Sequence, residues 1–322
     1  MSEAILDVRG LVTEIRTRHG VVRAVDDVSL TVGRGEIVAL VGESGSGKSM
    51  TAYSLMQLFP TPSARVAAGQ ILFEGRDLLT TPPDELRRIR GDRMAMIFQD
   101  PSSFLNPLMT VGRQVAEPLL ARDYPSNQID ARVHDLLTRM GLPDAASLAR
   151  RYPFELSGGQ RQRALIAAAL ACKPMLVIAD EPTTALDVTV QAQIMDLLHS
   201  LRDELGLSIL LITHDLGIVA QHADRVYVMY AARLAETATT RDLFHDPRHP
   251  YTRGLLRSTL SIESASNELY SIPGVVPNLA APPQGCRFHP RCPLATETCH
   301  QQPPLAPAGA SLVACWYSDQ VA

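Results

Sequence analysis

Residues 42–49 read GESGSGKS, a GxxxxGK[ST] spacing whose residue types suit a chain of phosphates. Gly42, Gly45 and Gly47 let backbone N–H groups converge on phosphate oxygens with no Cβ in the way. The run 36–41 (EIVALV) is apolar and β-branched, which predicts a buried strand; residues 48–58 predict a helix. The positive end of that helix would face the anion. Lys48 is expected to reach the β- and γ-phosphates, and Ser49 to place its hydroxyl on Mg²⁺. Ser44, Ser46 and Met50 lie in the same stretch and complete the expected nucleotide contacts. A plain glycine turn in an α/β domain is the competing explanation.

A second candidate anion site starts at Ser157. Ser157, Gly158, Gly159 and Gln160 precede the apolar run 164–172, and Ser157 with Gln160 fits a capping box. An ordinary capped helix would look the same. The apolar run 175–179 (MLVIA) then ends in Asp180 and Glu181. Carboxylates at the C-terminal end of a parallel strand lie where such sheets place ligands. Asp180 is expected to hold Mg²⁺ and Glu181 to polarise an attacking water. A third strand, 208–213 (SILLIT), ends in His214 and Asp215; His214 is a candidate γ-phosphate donor, although a lone histidine there is more often structural.

The elements that must position these groups follow from pattern. The first 35 residues carry turn glycines at 10, 20, 33 and 35 and suggest an antiparallel β-subdomain. Segments 70–73, 93–98 and 224–229 add strands. From 111 to 151 the apolar spacing, as at Leu136, Leu137 and Met140, is helical, and 189–205 is a further amphipathic helix. After about Arg257 prolines cluster and the texture becomes that of a loop-rich extension.

This set of motifs resembles the nucleotide-binding subunit of ATP-binding cassette (ABC) transporters, over about residues 5–252. Walker A is 42–49, the Q-loop is Phe98-Gln99-Asp100, the signature is LSGGQ at 156–160, and Walker B ends in Asp180-Glu181. The D-loop is Ala185-Leu186-Asp187 and the switch histidine is His214. The resemblance implies an α/β fold: a P-loop NTPase nucleotide-binding domain with an antiparallel β-subdomain, an inserted helical subdomain at about 105–170, and a cysteine-containing C-terminal extension. It implies two such subunits closing around two ATP molecules, with Lys48 and Ser49 of one chain opposite Ser157, Gly158, Gly159 and Gln160 of the other. Glu181, His214, Gln99 and Lys48 would be catalytic, and Ser49, Gln99 and Asp180 would surround Mg²⁺. His19 aligns with the adenine-stacking position, which is usually aromatic. Phe154 stands where the peptide-importer branch usually has histidine.

Length and charge limit the alternatives. The chain has 322 residues, 46% of them hydrophobic, and a net charge of −4, so it lacks the basic footprint of a nucleic-acid binder. The apolar run 164–172 stops at Lys173 and Pro174, well short of a membrane span. With no export signal in view, the chain is expected in the cytosol.

Four of the five cysteines, Cys286, Cys292, Cys299 and Cys315, fall in the extension. Clustered thiols in a cytosolic protein read better as metal ligands than as disulfides. The spacing is wider than most zinc sites use, and Pro293 follows Cys292 as in some iron–sulfur loops. Cys172, in the apolar run, is expected to be a buried small hydrophobe. RFHPRCPLATETC, with PRHPYTRGLL at 247–256, resembles the C-terminal extension of dipeptide and oligopeptide importer ATPases. That resemblance implies a 4Fe–4S cluster on the four cysteines; zinc or free thiols are the alternatives. It divides the chain into 1–256 and 257–322. It also implies two permease subunits, a second ATP-binding subunit (a paralogue, or a second copy), an extracytoplasmic solute-binding protein, and a place on the cytoplasmic face of the inner membrane. The rivals are an ABC ATPase outside transport and a sensor built on the cysteine site.

Overall fold

The computed structural model of the chain describes residues 4–184, 186–263 and 270–321. Strands β1 (Ala4–Thr17), β2 (Gly20–Gly33) and β3 (Ile37–Val41) precede helix α1 (Lys48–Met56). Strands β4 (Ala64–Phe73) and β5 (Arg76–Asp77), helix α2 (Pro83–Asp92) and strand β6 (Met94–Ile97) come next. Helices α3 (Pro101–Phe104), α4 (Val111–Leu120), α5 (Ser126–Arg139), α6 (Ala145–Leu148) and α7 (Gly158–Ala169) follow. Strand β7 (Leu176–Asp180), helix α8 (Val188–Leu205), strand β8 (Ser208–Thr213) and helix α9 (Leu216–His222) alternate. The chain then adds β9 (Arg225–Tyr230), β10 (Arg233–Thr239), α10 (Thr240–His245) and α11 (Pro250–Glu263). Two short strands, β11 (Ala306–Ala308) and β12 (Ser311–Val313), lie near its end.

These elements form two compact units. The first comprises 33–36 and 80–211. In it β6 and β7 run parallel, with Met94 opposite Leu176 and Ile97 opposite Ala179, and β7 is buried throughout. Its helices follow the sequence periodicity. Helix α5 buries Ile129, Val133, Leu136 and Leu137, the i, i+4, i+7, i+8 stripe of one helix face. Helix α8 starts on Asp187, whose carboxylate accepts the Val190 N–H at 2.9 Å, and stops at Gly206 with φ 65°.

The second unit comprises 4–32, 37–79 and 212–321. It holds the antiparallel sheet β2-β1-β4-β5 and the strand series β3-β9-β10-β12-β11. Strand β3 pairs in parallel with β9; the remaining pairs of that series are antiparallel. One apolar core joins Ala39 and Val41 of β3 to Val226, Val228, Tyr251, Leu256 and Phe288. The proline-rich extension is therefore not a loop appended to a finished domain. Phe288 enters the core of the strand that leads into residues 42–49, and Glu236 of β10 pairs with Val313 of β12.

Two expectations need amendment. Helix α1 ends at Met56 rather than Leu58, because Gln57 adopts φ 48° and turns the chain. Cys172 lies beyond the end of α7 and is only half-buried, its thiol donating to the Pro118 carbonyl at 3.5 Å. Ala185 of the expected D-loop lies outside the described residues.

Candidate nucleotide-binding site

In the second unit, strand β3 delivers the chain to a tight loop at 42–47, and α1 leaves from Gly47. Gly42 has φ 152° and Gly47 φ 105°; a Cβ on Gly42 would come within 2.1 Å of the Met229 carbonyl oxygen, and one on Gly47 within 2.4 Å of that of Ala24. Only glycine fits either place. Lys48 is buried, and its Nζ donates to the Gly42 carbonyl at 2.7 Å and the Glu43 carbonyl at 3.0 Å. Its charge is thus held within the curl of the loop. Ser46 Oγ is buried with no hydrogen-bond partner among the described residues. A glycine cradle around an ammonium, with an orphaned hydroxyl, suits phosphate oxygens. Ser44 and Gly45 are exposed on the loop, while Ser49 and Met50 sit in the first turn of α1.

Glu43 lies at the centre of a second set of contacts. Its N–H donates to the Tyr251 hydroxyl at 2.8 Å, and its carboxylate pairs with Arg291 at 2.8 and 3.1 Å. Burial opposes the charge on Arg291, but hydrogen bonds to Glu43 and Tyr230 hold its pKa above the ordinary value. His214 is exposed at the end of β8, and Asp215 caps α9 by accepting from Gly217 and Ile218. His19 is exposed in the turn between β1 and β2.

In the first unit, β7 ends at Asp180, which is 1% exposed, and the chain then turns sharply. Glu181 has φ 46°, a left-handed conformation that costs a residue with a Cβ about 1–2 kcal/mol. Gln99 Nε2 and Thr184 Oγ1 both donate to Glu181 Oε2, each at 2.8 Å. Gln99 and Glu181, 82 residues apart in sequence, are therefore directly bonded. Thr184 carries little signal in the sequence, only a hydroxyl three residues after an acid at a strand end.

The capping box predicted at Ser157 is present. Ser157 caps α7, its Oγ accepting the Gln160 N–H at 3.3 Å while the Gln160 side chain accepts the Ser157 N–H at 3.0 Å. Ser157 is exposed and Gly158, Gly159 and Gln160 are half-buried. Phe154, beside them, is 70% exposed and stacks on Tyr152.

Comparison with known proteins decides the family. Residues 25–184 match the ABC transporter family, and residues 235–299 match the family described as "Oligopeptide/dipeptide transporter, C-terminal region". A Brucella ovis protein named for peptide import and ATP binding is 50% identical over 317 residues, covering 94% of each chain. The chain belongs to the ABC transporter family.

This ABC ATPase also resembles the dipeptide transport ATP-binding protein DppD of Bacillus subtilis, at 46% identity over 99% of this chain and 96% of that one. Its fold matches the dimeric structure of MJ0796, described as a bacterial ABC transporter cassette. The TM-score is 0.66 at 28% identity, over 73% of this chain and 99% of that one. A second structure of that cassette, in a post-hydrolysis state, carries ADP and phosphate.

The extension of the ABC ATPase gathers its cysteines. Cys286, Cys292, Cys299 and Cys315 all line one small cavity of about 10 Å³, whose other walls include Phe288, Leu294, Pro303 and Trp316. Burial raises the pKa of Cys286 and Cys292 and takes that of Cys315 to about 11. Among the described residues no three His, Cys, Asp or Glu side chains are gathered tightly enough to hold one metal ion. The Leu294 and Tyr317 N–H groups donate to the sulfurs of Cys292 and Cys315, each at 3.4 Å.

His249 lines the same cavity, fully buried, and burial takes its pKa from the ordinary 6.5 to about 4. Nδ1 accepts the Tyr251 N–H at 3.0 Å, so the neutral ring carries its proton on Nε2. The unfolded chain binds a proton that the folded one refuses between those two values. Stability from this group is complete above pH 6.5 and is lost as pH falls toward 4. Glu236 accepts the Arg248 and His249 N–H groups, and burial raises its pKa, so it acts in the opposite sense. The His249 contribution alone should remove about 2 kcal/mol between pH 7 and pH 5. The urea midpoint should fall over that interval in the wild type and fall less in His249→Asn; an equal fall in both would exclude His249 as the source.

Proposed function

We propose that this ABC ATPase drives import of peptides, of the dipeptide or oligopeptide kind, through partner permeases. The observation that carries the reading is the joint presence, on one chain, of a match to the ABC transporter family and one to the C-terminal region of oligopeptide and dipeptide transporters. The relatives named for peptide import and dipeptide transport match over nearly the whole length.

In this reading residues 1–256 are the nucleotide domain, with a helical subdomain at about 105–170, and 257–322 the extension. Gly42 and residues 44–50 bind ATP, with Lys48 on the β- and γ-phosphates, Ser49, Gln99 and Asp180 toward Mg²⁺, and His19 beside the base. Ser157, Gly158, Gly159 and Gln160 close on the nucleotide of a second ATP-binding subunit, which we take to be a paralogue. Val188, 82% exposed at the start of α8, supports a face for that partner. Glu181 accepts a proton from the water that attacks the γ-phosphorus, and ADP leaves as the bond breaks. Gln99, bonded to Glu181, reports the state of that carboxylate toward the permeases, and His214 donates to the γ-phosphate. Mg²⁺, when bound, neutralises charge developing on the phosphate oxygens.

Among the described residues no helix is long and apolar enough to cross a membrane. Permease docking is supported by apolar side chains left exposed on and beside the helical insert: Phe104, Leu108 and Phe154. We place the chain peripherally on the cytoplasmic face of the inner membrane, served outside by a solute-binding protein. Co-expression with two permeases and reconstitution in vesicles tests the reading. ATP inside and a peptide-loaded binding protein outside should give peptide uptake; ATP turnover with no peptide accumulation would refute it.

We further propose that the four cysteines hold a 4Fe–4S cluster. Four thiols on one apolar cavity, with no three groups among the described residues close enough for a single ion, suit a multi-atom group better than one zinc, and N–H donors aimed at sulfur are a usual means of tuning such clusters. When bound, it would cross-link a segment poor in core of its own. Protein made anaerobically should be brown, with about four irons per chain; a folded, colourless, iron-free extension would exclude the cluster.

A further inference from the structure

The extension and the phosphate loop are joined through one side chain. The side chain of Arg291, which directly precedes Cys292, is only 4% exposed. Its guanidinium donates from Nη1 to Glu43 Oε2 at 2.8 Å and to the Tyr230 hydroxyl at 3.2 Å. From Nη2 it donates to Glu43 Oε1 at 3.1 Å and to the Ile272 carbonyl at 3.1 Å, and from Nε to the Pro273 carbonyl at 2.8 Å. Five contacts use all five donors of a planar fork, which lysine cannot reproduce. Tyr251 fixes the same loop residue from its backbone, its hydroxyl accepting the Glu43 N–H at 2.8 Å. The Gly42 carbonyl, part of that fixed peptide, and the Glu43 carbonyl of the next one are the acceptors of Lys48 Nζ.

We propose that Arg291 is a positioning residue of the ATP site, acting through Glu43 to fix the peptide that orients Lys48. The order of the cysteine-bearing extension is thereby read directly by the phosphate loop. The bidentate pair is part-buried and charge-assisted, the strongest kind of polar contact available to the loop. The extension has independent anchors. Arg287 pairs with the buried Asp26 and donates to the Ala231 carbonyl, and Phe288 packs with Tyr230 and Tyr251. Losing the Arg291–Glu43 contact therefore leaves the extension attached while freeing the loop.

The inference rests on residues 42–49 binding nucleotide as proposed above, and the test separates the two. ATP affinity and steady-state hydrolysis are measured on the full chain for Arg291→Ala, Arg291→Lys, Glu43→Gln, the Arg291→Ala/Glu43→Gln double variant and Lys48→Ala. Thermal melting checks that each folds. Glu43→Gln preserves volume in a partly exposed loop residue and keeps the test alive if the arginine variants do not fold. Arg291→Ala and Glu43→Gln should each weaken ATP binding about tenfold, with kcat at saturating ATP within about threefold. Arg291→Lys should fail to rescue. The double variant should be no worse than the poorer single, because both act on one contact. Unchanged ATP affinity in a folded Arg291→Ala or in Glu43→Gln, or losses that multiply in the double variant, would overturn the inference. Lys48→Ala with unchanged affinity would instead overturn the phosphate-loop reading beneath it.

Discussion

Glu181→Gln should lower ATP turnover in the assembled transporter by about 10²–10⁴-fold, the usual cost of losing a general base, while ATP affinity changes by no more than about threefold. The glutamine keeps the volume of the side chain, and its amide oxygen can still accept from Gln99 Nε2 and Thr184 Oγ1 at the 2.8 Å now seen. The left-handed turn at residue 181, secured by the Thr184 N–H to the Glu181 carbonyl at 3.2 Å, does not depend on the carboxylate. Geometry survives and basicity does not, so the loss should fall on kcat alone. Single-turnover hydrolysis with radiolabelled ATP checks it. A turnover within about fivefold of wild type would remove Glu181 from the proton transfer.

Lys48→Ala should weaken ATP binding by about 10–100-fold, the range for a charge-assisted hydrogen bond. The ammonium now donates to the Gly42 and Glu43 carbonyls. Removing it takes away the cation aimed at the phosphates and leaves two loop carbonyls short of a donor. Lys48→Arg should not restore affinity, because a planar guanidinium does not fit a curl whose glycines already lie against the Met229 and Ala24 backbone. Titration with a fluorescent ATP analogue reads the effect, and an unchanged dissociation constant would exclude Lys48 from the phosphate grip.

The parts of this site legible in the sequence are those built by neighbours along the chain. The strand-turn-helix at 37–56, the Ser157–Gln160 capping box and the strand ending in Asp180 depend on glycine freedom, capping chemistry and β-branched runs, all local. The contacts that tune the site are not local. Gln99 and Glu181 are 82 residues apart, Tyr251 and Glu43 208, and Arg291 and Glu43 248. A lone arginine in a proline-rich tail carries no pattern that names its partner. Strand β12 was invisible for a related reason: three residues become a strand only because the edge of β10 offers a ladder. The tail read as loop because its own residues cannot form a core; its Phe288 is buried in a core that β3 and β9 supply.

The account stands most directly on ATP joining two cassettes face to face. The decisive measurement is the mass of the Glu181→Gln chain, alone and mixed with its paralogue, by light scattering after size exclusion with and without ATP and Mg²⁺. The account predicts a pair that forms with ATP and disperses when nucleotide is withdrawn. A mass that ignores ATP in both samples would contradict it.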